Sequence, residues 1–308
     1  MDPVTKALYD MYPDDCKSDF YSAYLYFKYL DHFVYHAYKI SGLTPKDRKE
    51  VLPADIDEML QSMVQRIAET SPSYDTNTYH GKVVKIQEAI QLVTQKESIL
   101  LSPPEQVIPF KVARDIVLKN PESIALGTCA CRANSMKSCL PPPMEVCIIV
   151  GEPFASFVAD KSPLFRKSSQ AEAVEVLEAA HRRGDVHAAY FKKELGNRFY
   201  FICNCCSCCC LGIQMWNVLG GMIPILAPSG YVAQVSEDCN GCGSCDGTCH
   251  FKALTLGDQV AVIDKTKCMG CGVCEDVCPI GAIKLVRDAS KGAPLDLDEL
   301  KKLKSSAK

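Results

Sequence analysis

The chain lacks a strong charge of either sign, since 34 lysines and arginines face 37 aspartates and glutamates for a formal net charge of −3. Acids and bases are interspersed, so there is no basic stripe for nucleic acid or an anionic membrane surface. Neither a Walker loop nor a G-x-G-x-x-G segment occurs, and a tightly bound nucleotide or flavin is not supported. No acid–base pair or nucleophile constellation stands out. Long apolar runs are missing too: Leu211 to Ala227 is mostly apolar, but Gly220, Gly221 and Pro224 break it, and no membrane span is expected. The opening residues Met1-Asp2-Pro3-Val4-Thr5-Lys6 form no apolar signal segment, and Arg182-Arg183 is internal, so a cytoplasmic location is expected.

What the chain has in excess is cysteine, 19 in 308 residues. A secreted disulfide scaffold would be short and would follow a signal peptide, so these thiols are expected to be metal ligands in a reducing cytoplasm. Eight of them are in register. Cys239, Cys242, Cys245 and Cys249 recur 29 residues later as Cys268, Cys271, Cys274 and Cys278. Each set has the C-x2-C-x2-C-x3-C spacing, in which three close thiolates hold one iron–sulfur cube and a detached fourth crosses to another. Both sets read C-x-G-C-G-x-C, with glycines that let a short loop turn tightly around an inorganic core. Structural zinc is the competing reading, but zinc sites pair two short hooks, which does not account for three hooks and a detached ligand repeated.

This stretch resembles a bacterial two-cluster 4Fe-4S ferredoxin over about residues 231 to 287. The resemblance implies one 4Fe-4S cluster on Cys239, Cys242, Cys245 and Cys278, and a second on Cys268, Cys271, Cys274 and Cys249. It departs at Cys249-His250, where the other set has Cys278-Pro279; His250 is read as a tolerated surface residue rather than a tuning group.

The first hundred residues hold one cysteine, Cys16, and read as helical: a long amphipathic helix over Asp19 to Ile40, one from Thr44-Pro45, one from Ile56 to Glu69, a break at Ser71-Pro72-Ser73, and one from Lys82 to Glu97. His32 and His36, at i and i+4, are expected to be solvated. Ser102-Pro103-Pro104-Glu105 suggests a further helix running to about Lys119. Beyond it, Val146 to Val150 reads as a strand, Ala171 to His181 as a helix capped by Ser169 and Glu172, and Val186 to Phe191 with Arg198 to Ile202 as a hairpin around Leu195-Gly196-Asn197. Strands are also expected at Tyr231 to Val235 and Gln259 to Ile263, and a short helix near Leu295 to Leu303.

Ten more cysteines lie in this middle part: Cys129, Cys131, Cys139 and Cys147, then Cys203, Cys205, Cys206, Cys208, Cys209 and Cys210. Such density points to a further thiophilic metal centre on a subset of them, an additional iron–sulfur cluster or alternatively zinc. Adjacent side chains in an extended run point apart, so the six of the run cannot all face one metal. Arg132 is read as an ion-pair residue, with a hydrogen bond to cluster sulfur as the alternative. From about residue 101 onward the chain resembles a group of ferredoxin-fused proteins of anaerobes, in which a C-x-C-R segment (Cys129 to Arg132) and a C-N-C-C-x-C-C-C segment (Cys203 to Cys210) precede a two-cluster domain. That group carries no defined reaction, so the resemblance implies co-occurrence of the motifs only.

The fold expected is α+β, with a helical packing or docking region over 1–100, a small cysteine-rich α/β domain over 101–230, and a two-cluster ferredoxin-like domain with a polar tail over 231–308. The function expected is single-electron relay between two 4Fe-4S clusters and a further cysteine-ligated centre, with redox proteins as partners. The alternatives are an iron–sulfur oxidoreductase acting on a small molecule at the middle centre, and a metal or cluster carrier.

Overall fold

The computed structural model describes residues 1–48, 51–69, 79–141, 144–221 and 225–306; the Ser71-Pro72-Ser73 break lies outside them, as does Pro224. Mixed helices and sheets make an α+β fold. Among the described residues eight strands form the main sheet: β1 (Tyr79–Val83), β2 (Ile99–Leu101), β3 (Ile116–Thr128), β4 (Glu145–Glu152), β5 (Phe165–Ser168), β6 (Val186–Lys192), β7 (Arg198–Cys205) and β8 (Leu226–Ala227). Their order is β2-β3-β4-β7-β6-β1-β8, with β5 also on β3. The central strands are buried along almost their whole length, as their near-continuous apolar sequence requires. β6 and β7 form the expected hairpin, turned by Gly196 and Asn197 at positive φ. Two small antiparallel pairs follow, β9 (Tyr231–Val235) with β12 (Ile283–Arg287), and β10 (Leu254–Leu256) with β11 (Ala261–Ile263).

The helices are α1 (Pro3–Tyr9), α2 (Lys17–Lys28), α3 (Leu30–Ile40), α4 (Ala54–Glu69), α5 (Ile86–Val93), α6 (Ala130–Asn134), α7 (Phe154–Lys161), α8 (Gln170–Arg182), α9 (Leu211–Val218), α10 (Val273–Asp276) and α11 (Leu297–Ser306). None is long and apolar enough to cross a membrane. Strand alternation sorts the sheet's side chains between two cores. Leu126, Ile148, Val150, Phe191 and Ile202 face α5, α8 and the leucines at and before α11. Ala125, Cys147, Ile149, Tyr190, Tyr200 and Cys205 face the opposite side, where α1, α2 and α7 pack with Leu8, Phe20, Phe27, Phe154 and Phe157. The middle cysteines therefore lie on the face covered by the N-terminal helices.

Several local expectations are corrected. The helix over Asp19 to Ile40 is two helices, broken at Tyr29 (φ −121°, ψ 36°). Phe27 of α2 packs on Tyr200 and Phe157, whereas α3 turns toward α4 and α6, and one straight stripe cannot meet both surfaces. His32 and His36 are buried rather than solvated: His32 Nδ1 lies 3.1 Å from Asp31 Oδ1 and 3.0 Å from Arg48 Nη2, and His36 Nε2 lies 2.9 Å from Asp57 Oδ1. No helix starts at Pro45, which bridges to Ser135 in extended form. The first hundred residues are not all helical, because β1 enters the sheet between β6 and β8, leaving α5 shorter than expected. Residues 102 to 115 form no helix; Pro103, Pro104 and Pro109 withhold amide donors, and Ile108 and Phe110 are buried as loop side chains. The Ser169 cap of α8 is present, its hydroxyl accepting from the Glu172 amide at 3.2 Å.

Candidate metal centres

The eight periodic cysteines line two cavities. One is bounded by Cys239, Cys242, Cys245 and Cys278, with Gly241, Leu256 and Ile280, and the other by Cys268, Cys271, Cys274 and Cys249, with Phe251, Met269 and Val273. Each draws three thiols from one loop and the fourth from the other half. The loops close tightly because Gly241 and Gly270 hold φ of 66° and 65°. A Cβ at either would collide with backbone, at the Gln259 carbonyl oxygen and the Tyr231 carbonyl oxygen respectively. Backbone amides aim at sulfur: Ala233 N–H donates to Cys268 Sγ at 3.4 Å and Ala253 N–H to Cys249 Sγ at 3.3 Å. Such donors stabilise thiolate and tune a bound cluster. Burial pushes the Cys271 thiol up to about 12 and Cys274 higher still, so ligation there must displace protons. Soft sulfur donors, tight glycine loops and amide donors to sulfur fit a 4Fe-4S cube.

The ten middle cysteines divide into two groups. Residues 206 to 209 leave β7 in a tight turn closed by Cys210 N–H donating to the Cys206 carbonyl at 3.0 Å, which brings Cys206 to Cys139 while Cys205 stays on β7, both bordering one cavity. Cys206, Cys208 and Cys209 meet Cys139, all four sulfurs lying within 4.8 Å of one another. Cys206 Sγ is 3.5 Å from Cys139, 3.0 Å from Cys208 and 3.0 Å from Cys209. A tetrahedral ion with metal–sulfur bonds of about 2.3 Å has sulfurs about 3.8 Å apart, a separation inside the 3.0 to 4.8 Å range of this group, which would open by a fraction of an ångström at Cys206 to take a single ion. Contacts from the Cys209 thiol, together with those of Cys208 and the Arg132 charge, hold Cys206 down at about 5. Burial and the Cys206 contact push Cys208 up to about 12.

Arg132 stands beside this group at 1 % exposure. Its Nη1 donates to Cys139 Sγ at 3.0 Å, and its Nη2 to Asp185 Oδ1 at 2.9 Å and to the Asn204 carbonyl at 3.2 Å. It is thus both an ion-pair residue and a donor to the Cys139 sulfur. Asp185, also paired with Arg183 at 2.8 Å, carried no motif that would have singled it out.

Cys129, Cys131, Cys147, Cys203, Cys205 and Cys210 form the second group. Cys147 and Cys203 are register partners on β4 and β7, and Cys203 and Cys205 share one face of β7. Cys129 and Cys131 come from the start of α6, and Cys210 from the start of α9. Five of these thiols, all but Cys147, line a cavity of about 390 Å³ that Tyr26, Phe33, Val34 and Ala37 roof from the N-terminal helices. Tyr38 ties the roof down, its hydroxyl donating to the Cys131 carbonyl at 3.2 Å and to the Cys209 carbonyl. The aromatic helix gave no sign of this role.

The ferredoxin-like part is held against this region. His250 bridges Ser207 and Gly184, Asn217 Nδ2 donates to the His250 carbonyl at 2.9 Å, and Trp216 meets Phe251 edge-on at 5.3 Å. Cys249 and Cys271 touch the same apolar core as Cys147, Cys205 and Cys210, while Cys239 and Cys245 belong to a small core that Cys249, Cys268 and Cys274 also join.

No curated protein and no solved structure matches the chain. Residues 261–284 match the 4Fe-4S binding domain family, over the segment that carries Cys268, Cys271, Cys274 and Cys278. That match supports an iron–sulfur, ferredoxin-like part near the C-terminus with at least one 4Fe-4S cluster, and with the four-thiol group it points to iron–sulfur electron transfer.

Proposed function

We propose that the protein is an iron–sulfur electron-transfer protein with two 4Fe-4S clusters and a further thiolate-bound metal ion on Cys139, Cys206, Cys208 and Cys209. The observation that carries this reading is the pair of cavities, each lined by three cysteines of one loop and one of the other. A cube, when bound, gains or releases one electron with little movement of its ligands. The chain sets a route. Cys242 is exposed and rimmed by the half-exposed apolar side chains Leu256 and Ile280, a surface fit for a redox partner. The Cys249 and Cys271 set faces inward, against the core it shares with the middle cysteines. Electrons therefore pass along a path between the surface over Cys242 and the middle part, in the sense that the partner's potential drives. In this reading the helices up to Ile40 chiefly roof the cysteine face, residues 79–230 carry the main sheet and the middle centres, and 231–308 bear the cubes. A reducing cytoplasm suits such a density of thiols.

A second reading is favoured by the cavity. Seven cysteines, Cys206 and Cys209 of the four-thiol group among them, border about 390 Å³ of mainly apolar space, which suits a reductase that holds a small uncharged molecule beside its metal. Purification without oxygen, with iron, sulfide and zinc counted per chain and EPR of the reduced protein, tests both readings. Two reduced 4Fe-4S signals are expected. Their absence removes the relay, and a small uncharged oxidant that reoxidises the reduced protein with saturation kinetics selects the reductase.

A further inference from the structure

The six cysteines that stay outside the four-thiol site form a closed circuit. Cys129 lies beside Cys131 and Cys147, Cys131 beside Cys210, Cys210 beside Cys205, Cys205 beside Cys203, and Cys203 beside Cys147, its register partner. They come from β4, β7 and the starts of α6 and α9, so the sheet and two chain reversals cooperate to assemble the circuit.

Thiols that merely fill a core should pack against neighbours, since protein interiors leave few voids larger than a water molecule. These pack against the core on one side, yet five of the six also border the cavity of about 390 Å³, together with Cys206 and Cys209 of the four-thiol group. A metal core bound by their sulfurs would occupy that space. One tetrahedral ion takes four thiolates and would leave two over. Six thiolates need several metal ions, and space beyond the sulfurs leaves room for inorganic sulfide between them.

We propose that Cys129, Cys131, Cys147, Cys203, Cys205 and Cys210 hold a polynuclear iron–sulfide core, distinct from the ion on Cys139, Cys206, Cys208 and Cys209, with one side open to the apolar cavity. The assignment goes beyond the relay and rests on it only for the supply of electrons. Ligand loss in the ferredoxin-like part leaves the ring metal in place.

The test uses the full-length chain prepared without oxygen. Iron and acid-labile sulfide should both exceed the roughly eight per chain that two cubes explain. Cys131→Ser and Cys205→Ser, on different elements, should each alter one and the same additional Mössbauer or EPR signal while both cube signals remain. Cys208→Ser should release the single ion and spare that signal. Iron limited to eight per chain in the wild type overturns the proposal, whether or not the variants fold. It is equally overturned if the ring holds zinc or copper without sulfide, if Cys131→Ser and Cys205→Ser leave the excess unchanged, or if Cys208→Ser abolishes it.

Discussion

The imidazole of His250 clasps Ser207: its Nδ1 accepts the Ser207 amide at 3.1 Å, while its Nε2 donates to the Gly184 carbonyl at 2.8 Å. His250 follows Cys249 of the inner cube set, and Ser207 lies between Cys206 and Cys208 of the four-thiol group. By its place in the sequence His250 reads as a tolerated surface side chain, but in the fold both ring nitrogens are engaged. Proline, found at the corresponding place after Cys278, has no side chain that could make either bond.

His250→Ala should therefore loosen the joint without emptying it. Two hydrogen bonds at about 1 kcal/mol each put the loss near 2 kcal/mol in unfolding free energy. Metal content should hold, while Cys208 becomes more reactive toward maleimide, read by mass spectrometry. Unchanged reactivity and stability would show that the clasp carries nothing.

Cys242→Ala and Cys271→Ala should each remove one cube and spare the other, because each loop supplies three ligands to a different cavity. Iron should fall by about four atoms in either variant, and the remaining reduced signal should differ between the two. Loss of both signals in each variant would mean that the cubes are not built independently.

Arg132 neutralises a buried carboxylate and contacts a ligand sulfur at once. Arg132→Met leaves Asp185 with Arg183 alone and should cost about 3–5 kcal/mol in chemical denaturation, together with weaker metal retention at the four-thiol site. Arg132→Met with Asp185→Asn should recover part of the stability and none of the retention. Equal recovery of both would reduce Arg132 to an ion-pair residue.

The gathering of the eight periodic cysteines was legible because three of every four lie within seven residues, so spacing alone reports that they meet. The β6–β7 hairpin and the Ser169 cap were legible for the same reason, being settled by neighbours in the chain. The division of the 203–210 run was not. Whether Cys205 and Cys206 face one centre or two depends on where β7 ends and on the Cys210 amide reaching back to the Cys206 carbonyl. Cys139, remote in sequence, then finds its partners only through the fold. His32 and His36 were misread because what buries them, Arg48 and Asp57, comes from other segments. Residues 102–115 carried a helix-start signal that their prolines and the burial of Phe110 overrode.

Lys82 offers a test of how the ferredoxin-like part is fastened to the sheet. Its side chain, on β1 and 1 % exposed, donates to the Pro228 carbonyl at 2.5 Å and to the Ala293 carbonyl at 2.9 Å, so it holds the chain just before β9 and just before α11. Burial lowers its pKa to about 7, against the attraction of Glu88. Between about 7 and the ordinary 10.5, the unfolded chain binds a proton there that the folded chain does not, so this group makes stability rise with pH across that window and fall as pH drops back toward 7. The slope is at most about 1.4 kcal/mol per pH unit. Glu88, raised by burial to about 7, acts below that window: its contribution is full below about 4.5 and is lost as pH rises to about 7. Denaturant midpoints of the wild type should therefore climb from pH 7 to pH 9.5. In Lys82→Met the climb should be flattened, even though two carbonyls lose their donor and the variant is less stable throughout. If the variant keeps the wild-type slope, the lysine is charged in the folded chain at pH 9 and the fastening is an ordinary ammonium–carbonyl contact.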